Sequence, residues 1–87
     1  MAKYKEKPIF VEAVQYNGHN IDTIWEAFGA DKVYGPTEKN PDWLIIETFY
    51  EDFERANIGD WIIKLKEGAL EVINPEDFDN TYELVQE

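Results

Sequence analysis

The side chains able to do bond-making chemistry are few. His19 is the chain's one histidine and lies in the Asn17-Gly18-His19-Asn20 turn beside a helix start, where a general base or a metal ligand could stand. A metal site needs several ligands, and a catalytic triad needs a nucleophile with an oriented base. The chain has no serine, and its four aliphatic hydroxyls, Thr23, Thr37, Thr48 and Thr81, have no activating neighbour in sequence. His19 is therefore read as an exposed loop residue. With no cysteine, disulfides, zinc-thiolate sites and thiol nucleophiles are excluded, and nothing calls for an oxidising compartment.

Carboxylates are the abundant group, gathered in Glu51-Asp52-Phe53-Glu54 and in Glu76-Asp77-Phe78-Asp79-Asn80. Asp77, Asp79 and Thr81 begin like a calcium loop, but Tyr82 stands where the sixth-position glycine belongs. These acids are read instead as helix capping and solvated surface. Paired carboxylates also serve in general acid–base work when they face each other across a cleft. A domain with one helix has little room for such a cleft, so no enzyme is expected. Gly18, Gly29, Gly35, Gly59 and Gly68 are dispersed and match neither a Walker nor a dinucleotide fingerprint. No catalytic residue, cofactor or metal ligand is assigned.

The most informative pattern alternates acid with aromatic: Phe49-Tyr50-Glu51-Asp52-Phe53-Glu54. In one reading Phe49 and Phe53 pack in the core while the acids cap a turn. In the other, an exposed aromatic anchor is ringed by carboxylates and suits a basic partner, such as a nucleic-acid-binding groove whose phosphate ligand the acids would imitate. Phe49, Tyr50, Glu51, Asp52 and Glu54 are accordingly the candidate interaction surface.

The elements that must position these residues are set by periodicity. Ile9–Tyr16 is rich in β-branched and aromatic residues and comes after Pro8, which suits a strand start. Asn20 is a good N-cap for a helix carrying Ile21, Ile24, Trp25 and Phe28 on one face, with Gly29 at its end. Val33-Tyr34 reads as a short strand before the loop Gly35–Pro41. Trp43–Phe49 and Phe53–Ala56 form a hairpin about Glu51-Asp52. Asn57–Asp60 then turns the chain into Trp61–Leu65, and Lys66–Gly68 turns it again into Ala69–Ile73. Trp61, Ile63 and Leu65 share a face. Asn74-Pro75 caps one helical turn, and a last strand over Thr81–Val85 tucks Tyr82 and Leu84 inward. The expected fold class is α+β: one amphipathic helix, about residues 20–28, packed on a curved, mostly antiparallel sheet of four to six strands.

At 87 residues the chain is a single domain, residues 1–87, without linker or repeat. Hydrophobic residues make up 44% and aromatics 15%, enough to bury a core, which excludes a disordered acidic tail. A net charge of −11 repels nucleic acid and anionic membrane and favours basic partners. Charge is also uneven: Lys3, Lys5 and Lys7 open the chain, whereas residues 67–87 carry seven acids and no base. No apolar run approaches the roughly 18 residues of a membrane span, and the Pro8–Tyr16 stretch is too short and polar for a signal-peptide core. A cytoplasmic protein is expected.

Two stretches carry a resemblance. Lys7–Tyr16 at the start, and Gly59-Asp60-Trp61-Ile62-Ile63-Lys64 with Pro75, Phe78 and Thr81-Tyr82-Glu83 after it, resemble a set of small phage and prophage proteins. The family commonly has proline where Ile58 stands and glycine where Asp52 stands. The resemblance implies a phage-encoded protein of a bacterial host cytoplasm and carries no catalytic motif. Gly59-Asp60 itself asks only for a positive-φ turn with the Asp bonding nearby amides. The function expected is a non-enzymatic interaction module that binds a basic host or phage protein surface. The alternatives are a self-assembling structural or accessory phage protein, a homo-oligomer joined through a strand edge or an aromatic patch such as Trp43, or a small-ligand binder or enzyme with a concave pocket.

Overall fold

The computed structural model describes residues 2, 10–49 and 52–83. In chain order the elements are β1 (Glu12–Gln15), α1 (Ile21–Phe28), β2 (Val33–Tyr34), β3 (Trp43–Phe49), β4 (Asp52–Asn57), β5 (Trp61–Lys64), β6 (Leu70–Ile73) and α2 (Pro75–Thr81). The class is α+β and mostly sheet. Its arrangement differs from the expectation: among the described residues there are two helices, and the strands form two three-stranded antiparallel sheets, β1-β5-β6 and β2-β3-β4.

The division arises at the Gly59 turn. Gly59 has φ +99°, a conformation costly for residues with a Cβ. Its N–H donates to the Tyr16 carbonyl at 2.7 Å, its carbonyl accepts from Gln15 Nε2 at 2.9 Å, and Asp60 Oδ2 accepts the Asn57 N–H at 2.9 Å. The chain leaving β4 is thus fastened to the end of β1. β5 pairs with β1 in the register Glu12 to Lys64 and Gln15 to Trp61 rather than continuing the β3–β4 sheet.

Alternation on β3 sends Leu44 and Ile46 inward. They meet Val33 and Ala56 from the flanking strands, Ile62 and Leu70 from the other sheet, and Ile24 and Phe28 of α1. Tyr16 is fully buried among them, its hydroxyl 3.4 Å from the Pro41 carbonyl. Burial, with the nearby Asp42 carboxylate second, raises its pKa above the ordinary 10.0. Trp25 lies at the helix margin and donates from Nε1 to the Val33 carbonyl at 3.2 Å, tying α1 to β2.

Asn20 occupies the N-cap position of α1 but does not cap it. Its Oδ1 accepts the Asn17 N–H and its Nδ2 donates to the Gln15 carbonyl. Local side-chain bonds to the preceding turn win over the helix end. Asn74 does cap α2, accepting the Asp77 N–H at 2.8 Å and donating to the Asp77 carboxylate at 2.9 Å.

α2 extends past the one turn expected, because Phe78 stacks on Trp61 across the second face of β5. Ile63, fully buried yet outside the main cluster, shares that face by alternation. Thr81 ends this helix rather than starting a strand, and the Tyr82 N–H bonds the Phe78 carbonyl. Leu84 and Val85 of the expected last strand, and Ile9 of the first, lie outside the described residues. Among the described residues no helix is long and apolar enough to cross a membrane.

Candidate protein-interaction face

The hairpin β3–β4 carries the sequence-predicted surface. Both aromatic rings are exposed, Phe49 by 59% and Phe53 by 53%, so neither packs in the core. Tyr50 and Glu51 lie outside the described residues. Asp52 and Glu54 are exposed.

The ladder sorts these residues onto two faces. Tyr34 opposes Ile45, Ile45 opposes Arg55 and Glu47 opposes Phe53. Side chains of directly opposed residues share a side of the sheet, so Tyr34, Ile45, Glu47, Phe53 and Arg55 lie on the face away from Ile46 and the core. Tyr34 and Phe53 meet there at 6.2 Å between ring centroids. The register shifts between Glu47 and Phe49, and Phe49 comes to oppose Asp52. One extra residue in a strand reverses the side on which each later side chain lies, so Phe49 goes with Asp52 and Glu54. It lines a groove of about 450 Å³ with Lys32, Glu67 and Gly68.

Within that group Glu54 has a structural bond. Its Oε2 accepts the Val72 N–H at 3.4 Å, linking β4 to the edge of β6. The predicted surface is therefore divided, Phe49, Asp52 and Glu54 toward β6 and Phe53 with Tyr34 outward.

Arg55 and Tyr34 are the residues that sequence reasoning missed. The alternation in Phe53-Glu54-Arg55-Ala56 holds the signal for Arg55, since one buried Ala56 sends Arg55 outward. Its guanidinium lies 4.6 Å from the Trp43 ring centroid, and its Nε donates to Asn57 Oδ1 at 2.8 Å. Trp43, the expected edge or patch residue for self-assembly, stands on the central strand of its sheet, half-buried beneath that cation.

His19 is exposed, its N–H donating to Asn17 Oδ1. Asp77 and Asp79 lie in α2 rather than in a loop. Among the described residues no three His, Asp or Glu side chains are grouped to hold a metal ion. Comparison with protein-family models, with curated proteins and with solved structures matches this chain to none of them.

Proposed function

We propose that this protein is a non-enzymatic interaction module, phage-encoded and cytoplasmic, that binds a basic protein surface through the β3–β4 hairpin. The observation that carries the reading is the exposure of Phe49 and Phe53 in a strand pair that also bears Asp52 and Glu54. Large rings left outside a domain this small contribute no core burial, and aromatic anchors flanked by charge are the usual makings of an interface. The net charge of −11 adds long-range attraction for a basic partner, giving fast association that salt screens.

The test is a pull-down of tagged protein from bacterial lysate at low and moderate salt, with a D52K variant, which spares the Glu54 bond to β6, beside the wild type. One stoichiometric basic protein, lost with salt and with the variant, supports the reading. Equal capture by wild type and variant overturns it.

A further inference from the structure

We infer that β4 binds its partner by strand addition, its outer edge taking an extended segment with basic residues at alternate positions. The inference rests on the basic-partner reading and adds to it a mode of recognition.

Backbone parity decides which groups β4 leaves on its outer edge. The Ile58 N–H donates to the Asp42 carbonyl at 3.1 Å, which makes Ile58 and Asp42 a hydrogen-bonded pair of the antiparallel ladder. Such pairs recur every second residue, so Ala56 with Leu44 and Glu54 with Ile46 are bonded pairs too. The N–H and C=O groups of Phe53, Arg55 and Asn57 then point away from β3. β4 is the last strand of the order β2-β3-β4. At Asn57 the outward N–H is taken by Asp60 Oδ2, which bears out the parity and ends the free edge there. At Phe53 and Arg55 the outward groups are hydrogen-bonded by no other described strand, although β6 packs beside β4 and its Val72 N–H reaches Glu54, which leaves a short template for another strand.

The side chains specify the occupant. A strand bonded to Phe53 and Arg55 places one residue opposite Glu54, on the face that also holds Asp52, and its next residue opposite Phe53 on the aromatic face. Opposite charges across a strand pair are favourable and like charges are not. The complementary segment therefore carries Lys or Arg facing Glu54 and Asp52, and an apolar residue facing Phe53 and Tyr34. A second copy of β4 fits poorly. A two-fold through Glu54 opposes two glutamates, one through Arg55 opposes two arginines, and one through Phe53 sets Asp52 against Glu54.

The probe is a synthetic peptide of alternating Lys and Val, six residues long, compared with its Lys-to-Glu counterpart and with a version N-methylated at the valines. The expected result is binding of the first alone, with amide exchange slowed about tenfold or more at Phe53 and Arg55 and unchanged at Glu54, whose N–H already serves the β3 ladder. Equal binding of the N-methylated peptide, or unchanged exchange at Phe53 and Arg55, overturns strand addition while leaving the basic-partner reading in place. Equal binding of the Glu peptide overturns both. No binding of the unmodified peptide at about 1 mM overturns strand addition, and the pull-down then judges the basic-partner reading separately.

Discussion

The indole of Trp61 lies flat on the ring of Phe78, centroids 3.9 Å apart and planes within 5° of parallel. α2 contains no fully buried residue, so this stack, extended by Tyr82 at 5.2 Å from Phe78, is its main attachment to β5. Replacing Phe78 with Ala removes it. The expected loss is about 2–3 kcal/mol, or a fall in Tm of about 10 °C or more. Thermal unfolding monitored by near-ultraviolet circular dichroism measures this. Early exchange of the Tyr82 amide, which bonds the Phe78 carbonyl, would show that α2 detaches first. A loss below about 0.5 kcal/mol would mean that the stack does not anchor the helix.

Asn74→Ala tests the other end of α2. Both amide groups of Asn74 engage Asp77, and losing a working cap costs about 1 kcal/mol. Asn20→Ala, by contrast, loses the bonds to Asn17 and Gln15 and no helix cap. Urea titrations of the two variants, with amide exchange at Ile24 and Asp77, should show Asp77 exchange accelerated by the first change. Ile24, whose N–H bonds the Asn20 carbonyl, should keep its protection in the second.

Tyr16 makes stability depend on alkaline pH. Its folded pKa is raised from 10.0 by burial and by Asp42, so the neutral phenol is favoured in the native state. This contribution is fully present below pH 10 and is lost as the pH rises through the folded value, because the unfolded chain releases its proton first. The slope from this one group is at most about 1.4 kcal/mol per pH unit. Urea midpoints measured from pH 8 to 11 should fall above 10 in the wild type and fall less steeply in Tyr16→Phe. Parallel curves for the two proteins would remove Tyr16 as the cause.

Gly59→Ala probes the turn that separates the two sheets. A Cβ added there meets only Pro75 Cγ, at 3.8 Å, an ordinary contact. The cost is therefore the positive φ alone, about 1–2 kcal/mol. A variant as stable as the wild type would show that the turn relaxes without penalty.

Much of the fold was legible in the residues because local rules sufficed. Ile21, Ile24 and Phe28 mark α1 by their spacing, Asn74-Pro75 marks the start of α2, and Trp43–Phe49 reads as a strand that is half core. What escaped depended on contacts distant in sequence. Nothing near Trp61 says that β5 will pair with β1 instead of β4, or that Phe78 will lie on Trp61 and lengthen a single turn into a helix. The candidate site was legible in composition and illegible in direction. Phe49 and Phe53 look alike in the sequence, and only the register shift after Glu47 places them on opposite sides. Arg55 is set outward by its neighbour Ala56, the buried member of the pair, a fact of packing that the residue types alone do not display.

The two sheets differ in how far the chain must travel to close them. β3 and β4 are joined by a short hairpin, whereas β1 waits for β5, about fifty residues later, and closing so long a loop is entropically slower. On a ribosome β2, β3 and β4 emerge and can pair while β1 still lacks its partner. Tyr16, at the end of β1, then seals the interior only when Gly59 and Asp60 arrive to hold it. Pulse-labelled hydrogen exchange during refolding should accordingly protect Ile46 and Ala56 before Val14 and Ile62. The acid–aromatic hairpin would then be assembled, and open to an encounter, before the rest of the molecule has finished folding.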